Sequence, residues 1–252
     1  MNSVRWMASL ALAAVLGMGV MPVHAEETPV QPELKARVKE IIEVDGYPFK
    51  DLNDNGVLDA YEDWRLSPQE RAENLLSLMT AEQKAAQMVH LTLVTQKDSW
   101  FKKNNVGFAL VYEYIFEPEE EEDEEESDET QTPISSARNA AMRTNEIQEL
   151  SESSELGIPV IFSMDTEAGA AFVKDATYLP DEINQGAAGD VELVTRLNEV
   201  LKEELKAVGV RMALSPDADL ITDPRWGRNQ ECYSEDVETV ETMIAAAVKA
   251  LQ

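Results

Sequence analysis

Asp223 to Arg228 reads DPRWGR and continues as NQECYSED to Asp236. Two guanidinium groups, an indole and several carboxylates therefore share one short stretch. An arginine in a cleft holds hydroxyl groups through a planar fork of donors, and a tryptophan offers an aromatic face to an apolar ligand surface. The same residues also suit a loop tied down by Asp–Arg pairs, with Trp226 filling a gap in the core. Two further polar groups close apolar runs, Ser163-Met164-Asp165 and Ser215-Pro216-Asp217. Asp217, Asp219 and Glu231 add carboxylates in this region, and nothing in the sequence singles one out as a nucleophile.

A second chemical pattern lies upstream. DLNDNGVLDAYE, Asp51 to Glu62, places side-chain oxygens at Asp51, Asn53, Asn55, Asp59 and Glu62, a carbonyl at Val57 and a glycine at Gly56. That is the spacing of a twelve-residue calcium loop, in which the last carboxylate binds with both oxygens. The helix that should enter such a loop is interrupted by Gly46 and Pro48, and no partner loop exists. An Asx-rich turn closed on its own backbone is the competing reading. Either way the loop is expected to act as a structural buttress for a helix beginning near Tyr61. No cofactor is expected for catalysis, only a structural Ca2+.

His90 is the only histidine after residue 25 and Cys232 the only cysteine. A lone imidazole argues against a Ser-His-Asp triad or a His-rich zinc site. His90 is expected on a strand packed against a helix, and Cys232 as a buried thiol rather than a reactive one. An intramolecular disulfide is not available.

The elements that must position these residues follow from pattern. Glu33 to Val44 has helical periodicity and stops at the turn signal Asp45-Gly46. Ser67-Pro68-Gln69-Glu70 and Thr80-Ala81-Glu82-Gln83 are capping boxes opening two helices. Val89 to Val94, Val106 to Tyr114, Ile158 to Met164 and Val210 to Leu214 are apolar runs of strand length. Between them an amphipathic helix is expected from Ser136 to Glu155, stopped by Gly157, and a second, capped by Asp190, carries Val191, Val194, Leu197, Leu201, Leu205 and Val208 on one face. Ser234 is expected to cap the last helix. Apolar strands alternating with amphipathic helices imply parallel βα units covered on both faces. A doubly wound sheet and part of an eight-fold barrel both fit. In either, ligands bind outside the carboxyl ends of the strands, which points to Asp165 and Asp217.

Charge and composition bound the function. The 252 residues carry a net charge of −28, and Glu117 to Glu129 holds 11 of the 49 acidic residues. Phosphate backbones would be repelled, so nucleic acid is disfavoured as a partner. The acidic run is read as a solvated, disordered insert over 117–132. Residues 1–25 have a basic start, an uncharged apolar run from Met7 to Met21 and small residues at Val23-His24-Ala25, the parts of a cleaved secretory signal. A periplasmic or secreted protein without membrane attachment after cleavage is expected. Residues 26–66 form a lead-in carrying the calcium-like loop, and 67–252 form the α/β domain.

GIPVIFSMD at 157–165, ATYLP at 176–180 and above all LSPDADLITDPRWGRNQECYSED at 214–236 resemble glycoside hydrolase family 3. EDWRLSPQERAENLLSLMTAEQKAAQM at 62–88 and DLNDNGVLDAYEDWR at 51–65 are similar to the approach to that family's first domain. The resemblance spans roughly Gly46 to the C-terminus, broken by the acidic insert. It implies a partial (β/α)8 TIM-type barrel, about the first four βα units, preceded by an N-terminal helical lead-in. It also implies an exo-acting retaining β-glycosidase, β-glucosidase being the commonest activity, with a β-linked oligosaccharide or glucoside as partner. Asp165 matches the family's sugar-binding aspartate and Arg228 an arginine lining the same pocket. Enzymes of this kind use a nucleophile and an acid/base carboxyl about 5–5.5 Å apart.

Two departures set further expectations. The family's aspartate is followed by a His-Gly pair, whereas Asp165-Thr166-Glu167-Ala168-Gly169 puts Ala168 where the imidazole belongs. The family's Lys-His pair, nucleophilic aspartate and acid/base lie later than Gln252, so no catalytic residue is assigned and this chain alone is expected to be inactive. A missing C-terminal half or a second copy of the chain would then complete the barrel. A non-catalytic sugar-binding relic and an acidic calcium-binding interaction protein are the competing functions.

Overall fold

The computed structural model describes residues 30–93, 98–111 and 135–252. The expected signal segment, the acidic run and the continuation of a strand to Tyr114 lie outside the described residues. Pro32–Gln252 make one unit, and the other, Met1–Gln31, lies almost wholly outside them.

The helix expected over Glu33 to Val44 is not formed. Strands β1 (Ile41–Val44) and β2 (Tyr47–Lys50) pair antiparallel across Asp45-Gly46. Both turn residues have positive φ, 55° and 78°, as a two-residue Asp-Gly hairpin turn requires. The hairpin wins over the helical period because it buries Phe49 against the Trp64 ring, with centroids 5.7 Å apart. Nor does a helix begin near Tyr61: the chain turns until helix α1 (Pro68–Leu78), followed by α2 (Ala81–Gln87). Both open with the capping boxes legible in the sequence, Ser67 with Glu70 and Thr80 with Gln83.

Next come β3 (His90–Thr92), α3 (Ser99–Asn104) and β4 (Phe108–Leu110). After the acidic run follow β5 (Ser135–Ser136), α4 (Ala137–Glu152), β6 (Ile161–Met164), β7 (Val173–Lys174) and α5 (Glu182–Ala188). The chain continues through α6 (Val191–Ala207), β8 (Met212–Ala213), a 3-10 turn (Asn229–Glu231) and α7 (Val237–Leu251). Strands β5 and β7 form a small parallel ribbon beside the main sheet. Helices α3 and α5 were too short to show as periodic segments. Helix α4 ends at Glu152 with Ser153 as its C-cap, not at Gly157, whose φ of +59° instead shapes the turn before β6. Asp190 caps α6 as expected, but Asp236 and not Ser234 caps α7, because Ser234 spends its oxygen on the Asp236 amide two residues on.

The main sheet is all parallel in the order β3-β4-β6-β8. Each strand is added beside the previous one without reversal. A doubly wound sheet reverses at a switch point, whereas a barrel wall does not. The four βα units are therefore part of a barrel wall. The register aligns His90, Phe108 and Ile161, and one layer on Thr92, Leu110, Ser163 and Met212. Alternation puts these on one face and Leu91, Ala109, Phe162, Met164 and Ala213 on the other. The second face is the dry one: Ala109, Phe162 and Met164 join Phe101, Ile147, Leu201 and Leu205 in the principal core. On the first face Ile161 and Met212 remain 41% and 38% exposed.

Candidate functional site

The site is built where β6 and β8 end. Asp165 follows the last residue of β6, and the segment after β8 runs through Ser215 and Asp217 to the DPRWGR loop. Two hydroxyls tie these exits together, Thr166 Oγ1 lying 2.5 Å from Ser215 Oγ. Asp217 is then pinned from three sides. It bridges to Cys232, its amide donates to Glu182 Oε2 at 3.2 Å, and its carboxylate accepts from Arg228 Nη2 at 3.2 Å. Arg228 also donates from Nε to Glu231 Oε2 at 2.6 Å.

The second arginine is structural. Arg225 closes a fork onto Asp223, with Nε–Oδ1 at 2.9 Å and Nη2–Oδ2 at 2.6 Å, and Asn229 Nδ2 donates to the Asp223 carbonyl. Asp–Arg pairs do tie the loop down, but Trp226 fills no core gap: it is 39% exposed and lines an open depression with Leu220, Thr222 and Arg225. Cys232 is fully buried beneath the loop, and burial pushes its thiol up to about 11. His90 is exposed, and its contacts among the described residues are with neighbouring strands. It lies on the sheet face that the helices leave uncovered, its Nε2 2.6 Å from Ser163 Oγ and its ring against Phe108.

Asp165 and Arg228 thus both follow strand exits of the sheet, and the Arg228 charge reaches Asp165. Burial holds the Asp165 carboxyl above the usual carboxylate range, Arg228 and His90 pull it down, and Glu231 pushes it up. Glu167 and Asp217 are raised as well, again by burial first. Arg228 is held more firmly protonated, chiefly by its hydrogen bond to Glu231. Glu182, 3% exposed, is pushed up to about 9. The Arg228 guanidinium, about half exposed, is paired with Asp217 and Glu231, so this end of the sheet offers hydroxyl groups both donors and acceptors.

Sequence reasoning did not find Glu182, Glu167 or Thr166 as site residues. Thr166 and Glu167 had a usable signal, since they directly follow Asp165 at a strand exit. Glu182 had none, because a glutamate in a first helical turn ordinarily faces water.

The calcium-like loop lies elsewhere, between β2 and α1. Asp51 accepts from the Asn55 and Gly56 amides, and Asn53 and Asn55 accept from the amides two residues on. Glu62 uses one oxygen for the Leu52 amide at 2.7 Å and the other for the Asp59 amide at 2.9 Å. Asx turns close the loop, and among the described residues no three carboxylate, imidazole or thiolate side chains are grouped to hold a metal ion. Tyr61 fastens the loop outward, its amide donating to Asn74 Oδ1 on α1 and its hydroxyl to the Leu156 carbonyl ahead of β6.

Residues 80–252 match the glycosyl hydrolase family 3 N terminal domain. The chain belongs to this family. It is 33% identical over 238 residues to the periplasmic beta-glucosidase/beta-xylosidase of Dickeya chrysanthemi, covering 88% of this chain and 34% of that protein. It is 32% identical over 214 residues to the probable beta-glucosidase C of Aspergillus oryzae, covering 82% and 32%. The crystal structure of an exo-1,3/1,4-beta-glucanase from a Pseudoalteromonas species superposes with a TM-score of 0.64 at 25% identity, over 77% of this chain and 23% of the other. The chain spans about a third of the length of these curated relatives.

Proposed function

We propose that this chain carries the sugar-gripping part of an exo-acting retaining β-glycosidase of the β-glucosidase type, acting in carbohydrate breakdown. The observation that carries this reading is the convergence of Asp165 and Arg228 at the carboxyl ends of β6 and β8. Asp165 accepts hydrogen bonds from adjacent hydroxyls of the terminal sugar, and Arg228, held in place by Asp217 and Glu231, donates to them. The Dickeya relative, named as acting on β-glucosides and β-xylosides and as periplasmic, supports a β-linked substrate and an exported protein.

Calorimetry with methyl β-glucoside tests the grip. Arg228→Gln and Asp165→Asn should each weaken binding by at least about tenfold, since hydrogen bonds to charged groups contribute roughly 1.5–3 kcal/mol. Affinity unchanged in both variants would overturn the reading. For turnover, an aryl β-glucoside assay of the purified chain is expected to stay at the level of a buffer blank, because none of the carboxyls in the cleft is assigned as nucleophile or acid/base. Sustained release of the aglycone would assign those roles within this chain. Binding without turnover is the outcome that the sugar-binding relic also gives, and Ala168, standing where the family's imidazole belongs, favours that reading.

Calcium at Asp51, Asn53, Asn55, Val57, Asp59 and Glu62 is a separate proposal. An ion would have to displace amide donors from Glu62, so weak binding is expected, in the range of roughly 10⁻⁴–10⁻³ M found in extracellular modules. Titration calorimetry on the wild type and Glu62→Ala decides it, and equal heats from both would remove the metal.

A further inference from the structure

Trp226 is the part of the DPRWGR loop that the sugar grip does not use. Its side chain lines an open depression of about 700 Å3, together with Asp219, Leu220, Thr222, Asp223 and Arg225. Both sides of the depression are fixed. Leu220 packs against the buried cluster of Val194, Tyr233 and Val240, and the Ile221 amide donates to the Ser234 carbonyl at 3.2 Å. Across from it, the Trp226 amide donates to the Asp223 carbonyl at 3.1 Å, and Asn229 Nδ2 donates to the same carbonyl at 2.9 Å. A ligand that stacks on the indole therefore does not have to order the loop first.

The polar groups of the rim divide in two. Asp223 and Arg225 satisfy one another through their fork. Asp219 and Thr222 are exposed, and their side chains make no hydrogen bond among the described residues. An acceptor and a hydroxyl thus stand beside an aromatic face. A β-linked glucose unit asks for that combination: the C–H face of its ring lies on an aromatic surface, and the hydroxyls at its edge both donate and accept.

Position ties the depression to the grip. Arg228 Nη2 meets Asp217 Oδ2 at 3.2 Å. Asp219 comes two residues after Asp217, and Trp226 two residues before Arg228. Two residues span at most about 7 Å, so the same two chain segments carry the grip and, directly beside it, the depression. That offset is comparable to the length of one sugar unit.

We propose that the Trp226 depression is a second sugar subsite, which takes the unit next to the terminal sugar of a β-linked oligosaccharide. The inference rests on reading Asp165 and Arg228 as the grip on the terminal sugar. Stacking on the indole supplies affinity, and Asp219 and Thr222 orient the ring. A simple methyl glucoside fills the grip alone, whereas a disaccharide reaches both places.

Calorimetry with methyl β-glucoside, cellobiose and laminaribiose reads the subsite as a ratio of affinities. In the wild type the better disaccharide should bind about tenfold more tightly than the methyl glucoside. Trp226→Ala should bring that ratio down to about one, and Trp226→Phe, which keeps a ring, should retain most of it. Thr222→Val should lower the ratio about threefold, and it supplies the test if Trp226→Ala does not fold. A wild-type ratio near one for both disaccharides, or a ratio that the folded variants do not lower, would overturn the proposal.

Failure of the grip itself looks different. Should methyl β-glucoside not bind the wild type, cellotetraose becomes the probe. Binding that Trp226→Ala abolishes would keep the depression as a sugar site and remove the grip. Binding that Trp226→Ala does not weaken, or no binding, would overturn the subsite as well.

Discussion

Replacing Glu182 by glutamine should raise the thermal midpoint markedly at pH 7–8 and leave it unchanged near pH 4. Burial lifts the Glu182 carboxyl from its ordinary 4.5 to about 9 in the folded chain. Below about 4.5 both states hold the proton, and the residue carries no penalty. As pH rises, the unfolded chain gains by ionising while the folded chain does not, so stability declines until the folded carboxyl ionises near 9. At pH 7 the accumulated penalty approaches about 3 kcal/mol, since each unit of difference corresponds to about 1.4 kcal/mol. For a chain of this size that is roughly 6–12 °C in the midpoint. Glutamine removes the penalty and keeps an acceptor for the Asp217 amide. Differential scanning calorimetry at several pH values checks it. A gap between the two proteins that does not widen with pH would show that ionisation is not the cause.

The second large effect is at Gly157. Its φ is +59°, a conformation that an L residue with a Cβ adopts at a penalty of roughly 1–2 kcal/mol. A Cβ there would also lie 2.2 Å from the Leu52 carbonyl oxygen and 2.9 Å from its carbon. Both are backbone atoms and cannot swing aside. Overpacking of this kind adds roughly 1–3 kcal/mol, so Gly157→Ala should destabilise by about 3 kcal/mol, a large part of the roughly 5–15 kcal/mol that domains possess. The damage would spread, because Leu52 belongs to the loop that Glu62 closes, and Gly157 leads into β6, which presents Asp165. Urea denaturation should show a lower midpoint at unchanged slope, and glucoside affinity should fall with it. A shift in midpoint equivalent to less than about 1 kcal/mol would mean that the two backbones part without resistance.

The local and the periodic parts of this fold were legible in the sequence. The capping boxes at Ser67 and Thr80 and the Asp190 cap state their geometry in three or four residues. The four apolar runs state where the sheet lies, and the polar residues ending them state where its open end is. Residues 33–44 carry a helical period, but Asp45-Gly46 is the stronger local signal and closes a hairpin on 41–44. His90 lies on a strand as its apolar neighbours imply, but alternation assigns its side chain to a face only after the register is known. The DPRWGR residues fit both a hydroxyl-holding site and a loop tied down by Asp–Arg pairs, and which arginine meets which acid depends on the path after β8. Glu182 could not be read at all: its hydrogen-bond partner, the Asp217 amide, lies 35 positions along the chain, after β8.

Strands β3 and β8 each bond a single neighbour among the described residues, and Ile161 and Met212 lie bare on the face between them. Rims that stay unpaired invite neighbouring molecules to stack strand on strand. A chain carrying −28 is shielded from that fate by mutual repulsion. The shield weakens as pH falls toward the isoelectric value of about 4.3, or as salt shortens the reach of the charges. Colloidal behaviour is therefore tied to the geometry of the wall: light scattering should rise steeply in acid or in concentrated salt, and a lysine placed outward on β8 should blunt the rise.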